Sequence, residues 1–320
     1  MNKTSDKASI IGFTMVKNAT KLYYPIRECI ESLLPIVDEF VIALGDCDND
    51  DKTREEIKKI SSKKLRIIDT VWDIKKWPNG TENAHQTDIA KSECTSDWCF
   101  YLQADEVIHE KYHEEIREKC NKYKNDTDVE GFLFKYIHFW GDYDHYMDSH
   151  GWYEKEIRII RNDPDIHSWQ SAQSFRKIPN FDGKDYRKVE GTYKLNVIEL
   201  DAYVYHYGWV RPPHLMKNKN KALSSIHKGK STKDTEGKQE VFDYGPLGRL
   251  PKFKGTHPKV MQERINEMDW DNMLNKGKKN INGARLKHLN FKNRFMTKVE
   301  NMFFSGKRLF TFQNWNIINK

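Results

Sequence analysis

Two adjacent carboxylates, Asp105 and Glu106, follow an apolar run at residues 98–102 that has the length and aromatic content of a buried strand. The carboxyl end of a central strand in an α/β sheet faces the crevice where ligands bind. Carboxylate oxygens are the ligands that Mg²⁺ and Mn²⁺ prefer when the metal bridges to a diphosphate. The pattern therefore predicts a divalent-cation site, unless the two acids only begin a helix whose first turn lies at 109–112.

The elements that position these acids are predicted by alternating periodicities along the first half of the chain. Apolar runs typical of strands occur at 9–16, 39–44, 65–72 and 98–102, and helical spacing occurs at 24–37, 54–60, 83–94 and 112–123. Further strands are predicted at 131–140, 156–161 and 197–206. This order favours an α/β fold with right-handed crossovers and a mostly parallel central sheet flanked by helices.

Charge is distributed unevenly over the 320 residues, whose formal net charge is +7. Residues 211–320 hold 24 Lys and Arg against 9 Asp and Glu, whereas residues 1–210 hold 30 against 38. This asymmetry predicts a first domain at 1–213 and a basic, mainly helical C-terminal extension at 214–320. A cationic extension attracts anionic surfaces or substrates. The favoured interpretation is that the extension forms a helix at 284–304, whose apolar face packs on the first domain.

The five cysteines are scattered and form no Cys-x-x-Cys pair, which argues against a disulfide framework and against a thiolate zinc site. No stretch approaches 18 consecutive apolar residues, and the first residues contain no hydrophobic segment of signal-peptide type. The protein is expected in the cytoplasm, either free or peripherally associated with a membrane.

Three motifs in this order resemble the family 2 glycosyltransferases, which have the GT-A, Rossmann-like fold and use nucleotide sugars. They are Phe-Thr-Met-Val-Lys-Asn at 13–18, the acidic loop that begins at Gly45-Asp46, and Gln-Ala-Asp-Glu at 103–106 in place of the family's Asp-x-Asp motif. The segment Tyr-His-Tyr-Gly-Trp-Val-Arg-Pro-Pro at 205–213 is also similar to bacterial members. The resemblance covers roughly residues 9–210.

The resemblance implies a nucleotide-sugar donor, a glycan or lipid-linked acceptor, and Mn²⁺ or Mg²⁺ as cofactor. It implies nucleotide or diphosphate contacts at Lys17, Asn18, Asp46, Asp105 and Arg211, and metal contacts at Asp105, Glu106 and His206. Because the motif reads Ala-Asp-Glu, either Asp105 or Glu106 could be the principal ligand. His206 could instead be only a hydrogen-bonded histidine, and Arg211 only a surface cation.

An inverting member of this family needs a general base for the acceptor hydroxyl. Glu154 is the first candidate by its position after the metal motif, and Asp148 and Glu156 are the other two. The aromatic segment at 139–153 is a candidate acceptor platform, with core packing as the competing explanation.

Two other functions are compatible with parts of the sequence. A nucleotidyltransferase would show a glycine-rich phosphate loop after the first strand, and residues 16–20 contain no glycine. A nucleotide- or nucleic-acid-binding protein could use the aromatics that alternate with Lys and Arg in the C-terminal part. That pattern equally describes a basic helix lying on the core or on an anionic membrane, and nucleic acid is the disfavoured partner.

Overall fold

In the computed structural model, the described residues form a ten-stranded mixed sheet with helices on both faces. The structure describes residues 7–228, 241–304, 307–309, 311 and 313–320. The strands are β1 (Ile10–Val16), β2 (Glu39–Leu44), β3 (Leu65–Asp69), β4 (Trp98–Tyr101), β5 (Glu106–Ile108), β6 (Gly131–Trp140), β7 (Tyr146–Met147), β8 (Lys155–Arg161), β9 (Ile166–Trp169), β10 (Ser174–Lys177), β11 (Leu195–Trp209) and β12 (Trp315–Ile317). The α-helices are α1 (Ile26–Leu33), α2 (Thr53–Lys58), α3 (Thr81–Ser92), α4 (His113–Lys122), α5 (Pro213–Lys228), α6 (Gln262–Asn266) and α7 (Phe291–Phe303).

The strand order of the main sheet is β12-β11-β6-β8-β4-β1-β2-β3, with β5 paired to β11 and β7 paired to β6. Strands β3, β2, β1 and β4 are parallel neighbours, so their carboxyl ends meet at one edge. Strand β8 runs antiparallel between β4 and β6. The same edge therefore receives the amino end of β8 as well.

Alternate residues of the central strands pack on opposite faces of the sheet, as the two-residue period of a strand requires. On one face Ile10 and Phe40 lie in a buried cluster with Ile30 of α1. On the other face Ile11 lies in a second cluster with Ala90 of α3. The sheet is thus the middle of three layers, which holds its carboxyl edge in place.

The predicted alternation of strands and helices is confirmed, as are a large central sheet and flanking helices. The alternative that the two acids begin a helix is wrong, because Glu106 begins β5. The helical turn expected at 109–112 is present as a 3₁₀ turn at Glu110–Tyr112, which leads into α4. All five cysteines are free. None of the helices in the described ranges is long and apolar enough to cross a membrane.

The C-terminal part differs from its expected form in two ways. Strand β12 adds to the main sheet beside β11, so this part contributes a strand as well as helices. Helix α7 buries polar residues and leaves most of its aromatic side chains exposed, whereas an apolar face packed on the core was expected. The boundary at residue 213 coincides with the start of α5 and stays a prediction. The sequence also predicts a basic surface helix followed by a loop at 217–233. Residues up to 228 are helical, and 229–233 lie outside the described residues.

Candidate functional site

Lys17 and Asp46 lie side by side where β1 and β2 end. The Lys17 Nζ atom is 2.8 Å from Asp46 Oδ1, and the backbone N–H of Trp72 donates to the same oxygen at 2.9 Å. Burial would raise the pKa of Asp46, but the bonds from Lys17 and Trp72 outweigh burial and lower it. The carboxylate is therefore held ionised at the sheet edge and next to an ammonium group.

Asn18 joins the loops that follow β1 and β2. Its backbone is left-handed, with φ of 55°, and its side-chain oxygen accepts from the N–H of Asp48 at 2.8 Å. An Asn adopts this conformation more readily than most residues. In this structure the side chain fixes the acidic loop, and a contact of Asn18 with nucleotide stays a prediction.

Glu82 and Gln86 on α3 also lie near the end of β3 and were not identified from the sequence. The amide nitrogen of Gln86 donates to Glu82 Oε1 at 2.7 Å and to the carbonyl of Val71 at 3.2 Å. Glu82 Oε2, Gln86 Oε1 and Trp72 Nε1 are buried without a hydrogen-bond partner in the described part of the chain. Buried polar atoms without a partner call for an explanation. Acidic residues are common in the first turn of helices, so the sequence alone did not mark Glu82 as a site residue.

Glu106 is completely buried and accepts four hydrogen bonds. Arg158 donates to both carboxylate oxygens at 2.8 Å, Tyr136 Oη donates at 2.7 Å, and the backbone N–H of Gln103 donates at 3.0 Å. A carboxylate has about four acceptor positions. All of them are filled here, so this arrangement does not support the predicted metal role of Glu106 and gives it a structural one.

Asp105 and His206 are buried and face each other beside Gly208. Asp105 Oδ2 is 3.6 Å from His206 Nε2, which is too long for a hydrogen bond. A Cβ atom at position 208 would lie 2.5 Å from each of these two atoms. Glycine at 208 therefore keeps clear a space that a carboxylate oxygen and an imidazole nitrogen both border.

His138 fixes the orientation of His206. The Nε2 atom of His138 is 2.8 Å from the carbonyl oxygen of Tyr153, and its Nδ1 is 2.9 Å from Nδ1 of His206. Burial and the neighbouring His206 hold the pKa of His138 well below its ordinary value, so its ring is neutral. Since a carbonyl only accepts, His138 donates through Nε2 and accepts through Nδ1. His206 must then donate through Nδ1, which leaves its Nε2 atom facing Asp105.

Two buried cations lie close to Asp105. Lys219 Nζ on α5 is 3.4 Å from Asp105 Oδ2 and donates to the carbonyl of Gly208. Burial and the nearby Arg211 lower the pKa of Lys219 to about 7. Arg211 is buried too, and its guanidinium donates to the carbonyls of Leu22 and Gly208. The alternative that Arg211 is only a surface cation is therefore wrong, and Lys219 was missed because basic residues on a helix normally face solvent.

The space between Asp105 and His206 fits a divalent cation by the chemistry of its donors. A carboxylate oxygen and a neutral imidazole nitrogen are ligands that Mn²⁺ accepts, and both are orientated by the protein. No group of three or more His, Cys, Asp and Glu side chains suited to a metal occurs in the ranges that the structure describes. A cation at this position would take its other ligands from substrate phosphates and water, as Mg²⁺ commonly does.

Asp148 and Glu154 line a cavity of about 530 Å³ on the side of His138 and Tyr153, together with the indole of Trp152. Glu154 Oε2 accepts from the backbone N–H of Arg308 at 3.2 Å, and Asp148 Oδ2 accepts from Asn301 at 3.4 Å. The aromatic segment that was predicted as an acceptor platform thus contributes to the lining of a cavity.

Glu156 lies on β8 beside Arg158, and its Oε2 atom is buried without a hydrogen-bond partner among the described residues. Burial raises the pKa of Glu156 to about 8, against the opposing charge of Arg158. A carboxyl group with such a pKa exchanges a proton near neutral pH. Of the three base candidates, Glu156 therefore has the most strongly perturbed carboxyl.

The chain is similar to crystal structures of TarS from S. aureus. One aligns over 68% of this chain and 39% of the TarS chain, at 13% identity and a TM-score of 0.39. TarS 1–349, alone and in complex with UDP, aligns over 68% of this chain and 65% of that chain, at 14% and 15% identity and a TM-score of 0.37. The chain thus spans less than two thirds of the TarS chains it matches. No family model and no curated protein matches it.

Replacing Glu106 by Gln tests the buried ion pair. We expect the free energy of unfolding to fall by about 3–5 kcal/mol, because Arg158 would be left as a buried charge without its carboxylate. Urea unfolding measures this change. The control is Asp201→Asn, which removes an exposed carboxylate 2.6 Å from Lys135 and should cost less than about 1 kcal/mol. Equal losses in the two variants would contradict the assigned role of Glu106.

Replacing Glu156 by Gln tests the raised pKa. The folded protein prefers the protonated carboxyl, so this preference stabilises the fold at acid pH and is lost as the pH rises through about 8. Since glutamine stays neutral, the variant should gain stability relative to wild type between about pH 5 and pH 9, by about 1–3 kcal/mol. Urea unfolding across this range measures the gain. Exposed Glu118→Gln should show no such trend, and a pH-independent difference for Glu156→Gln would refute the assignment.

Proposed function

We propose that the chain is a glycosyltransferase of family 2 with the GT-A fold, which moves a sugar, as hexosyltransferases do, from a nucleotide diphosphate to a glycan or lipid-linked acceptor with inversion. The observation that carries the proposal is the pair Asp105 and His206, 3.6 Å apart around the space kept by Gly208. The pair lies at the sheet edge that also holds Lys17 and Asp46, which is where α/β folds bind ligands.

The donor nucleotide would lie over the ends of β1 and β2, against Lys17, Asn18 and Asp46. The ionised Asp46 accepts hydrogen bonds from ribose or base, and Lys17 attracts phosphate. The diphosphate of the donor would extend towards Asp105, where the buried side chains of Arg211 and Lys219 add positive charge. Electrostatic attraction is stronger there than in water.

The leaving diphosphate gains negative charge as the sugar departs, and groups that offset this charge lower the barrier. When bound, Mn²⁺ or Mg²⁺ would supply Lewis-acid stabilisation of that charge, with Asp105 and His206 as its protein ligands. His138 keeps the lone pair of His206 directed at this position through its bond to the carbonyl of Tyr153. Glu106 contributes by holding the turn that presents Asp105.

The acceptor would enter the cavity that is lined by Trp152, Asp148 and Glu154. Sugar rings stack on aromatic faces, and a carboxylate within reach of the acceptor hydroxyl can remove its proton. Glu154 is the proposed base, with Asp148 beside it and Glu156 on β8 as the alternatives. The aromatic side chains of the cavity also exclude water from the reacting hydroxyl.

Nucleotide binding tests the proposed metal pair. UDP, GDP, CMP and dTDP are added to the full-length protein with and without Mn²⁺, and the unfolding temperature is measured. One nucleotide with Mn²⁺ should raise it by about 5 °C at a concentration near 100 times its Kd. Asp105→Asn and His206→Gln should each weaken the Mn²⁺-dependent part at least about tenfold.

The control for this experiment is Asp201→Asn, since Asp201 is an exposed carboxylate on β11, the strand that also carries His206. It should respond to nucleotide and Mn²⁺ as wild type does. Stabilisation that is the same without Mn²⁺ in wild type and in both site variants would contradict the metal pair. No response to any of the four nucleotides would contradict the transferase itself.

Substitution of the three acids tests the base. With the donor identified by nucleotide binding, Glu154→Gln should lower kcat for sugar transfer about 10²–10⁴-fold, because proton removal from the acceptor is lost. The Kd for the nucleotide should not change. If Asp148→Asn or Glu156→Gln produces this loss while Glu154→Gln retains activity, the role belongs to that residue and not to Glu154.

A further inference from the structure

Helix α7 turns its polar side towards the protein. Asn293 donates to the carbonyl of Lys287 at 3.0 Å, and Thr297 Oγ1 accepts from the backbone N–H of His150 at 2.8 Å. The Glu300 carboxylate, which is fully buried, lies 2.7 Å from His150 Nδ1 and accepts from the N–H of Leu309 at 2.8 Å. Hydrogen bonds from its polar side therefore attach this helix to the rest of the chain.

The opposite side of α7 is apolar and exposed. The relative accessibilities of Phe291, Phe295 and Met302 are 83%, 56% and 63%. Their spacing of four and seven residues places them on one stripe of the helix. The rings of Phe291 and Phe295 stack with centroids 6.2 Å apart. This is the reverse of an ordinary surface helix, and exposed apolar patches of this kind mark interaction surfaces.

Positive charge is concentrated on α7 and in the segment just before it. Residues 278–298 contain seven Lys and Arg and no Asp or Glu, and all seven are exposed. The ion pairs found among the described residues include none of them. The surface formed by the α7 stripe and these seven cations, named here the basic aromatic face, thus combines uncompensated positive charge with aromatic side chains.

We propose that the basic aromatic face binds an anionic lipid bilayer, with α7 lying in the plane of the membrane interface. Aromatic side chains enter the boundary of the acyl chains while Lys and Arg contact lipid phosphates, which is how interfacial helices bind. Each exposed cation near an anionic membrane surface adds to the attraction. At 13 residues, α7 extends about 20 Å, too short to cross the bilayer.

Other occupants fit this face less well. A second copy of the chain would bury the phenylalanines but would set seven cations against seven cations, which repel each other. A nucleic acid would satisfy the cations, but Phe291 and Phe295 stack on each other, which leaves one side of each ring turned towards its partner. The bilayer alone offers phosphate and hydrocarbon in adjacent layers.

Co-sedimentation with vesicles tests the proposal on the full-length protein. Wild type should sediment with vesicles of phosphatidylcholine and phosphatidylglycerol, much less with phosphatidylcholine alone, and less at high salt. Phe291→Ser/Phe295→Ser should reduce the partition coefficient roughly tenfold or more. Lys292→Gln/Lys298→Gln should reduce it roughly tenfold as well. The matched control is Val189→Ser/Tyr193→Ser, which removes two exposed apolar side chains from another loop and should bind like wild type.

Several results would overturn the proposal. One is binding by the double phenylalanine variant that equals wild type, and another is no binding of wild type to anionic vesicles. A loss of self-association in that variant, measured by light scattering, would assign the face to a second copy. A salt-sensitive complex with an oligonucleotide that this variant loses, without vesicle binding, would assign it to nucleic acid. A fall in the unfolding temperature of this variant would show that the chain itself covers the face. The assay reads lipid binding only, so its result is independent of transferase activity.

Discussion

The site depends on a carboxylate that the fold has withdrawn from water. Glu106 has no exposed surface, and a buried carboxylate is tolerated only when charge and hydrogen bonds compensate its lost hydration. Arg158 on β8, Tyr136 on β6 and the backbone of Gln103 supply that compensation from three directions. These hydrogen bonds from three directions hold the Glu106 carboxylate in one position. The turn between β4 and β5 is therefore fixed, and with it the direction in which Asp105 leaves the backbone.

From this turn a continuous set of contacts crosses the sheet. Asp105 faces His206 on β11, His206 donates to His138 on β6, and His138 donates to the carbonyl of Tyr153 just before β8. Both hydrogen bonds, from His206 to His138 and from His138 to Tyr153, have one direction because the last acceptor is a carbonyl. The bonds therefore orient the ring of His206 without relying on its packing. His138 also lines the cavity that contains Asp148 and Glu154, so these contacts connect the proposed metal pair with the proposed acceptor cavity.

Much of this arrangement could be predicted from the sequence, and the limits are physical. Buried strands carry apolar runs of recognisable length, so β2 and β6 were predicted with their observed bounds, and Asp105 and His206 were both singled out. The partner of Glu106 is 52 residues away, and no local pattern announces it. Lys219 was missed because a buried lysine has the same sequence context as an exposed one. The packing of α7 was predicted wrongly, because periodicity indicates which side of a helix is apolar but not which side contacts the rest of the protein.

Lys219 gives the region around Asp105 a built-in counterion. Its Nζ atom, which is charged when the pH is below its pKa of about 7, lies 3.4 Å from Asp105 Oδ2. Lys219 lies on α5, which starts four residues after the end of β11. A tethered counterion acts at a high effective concentration. A visiting cation would have to outcompete that tethered group, which a doubly charged ion does far better than Na⁺ or K⁺ because attraction scales with charge. The starting point of α5 would thus make the site select cations by charge rather than by size. The same competition from Lys219 would lower the affinity for every cation.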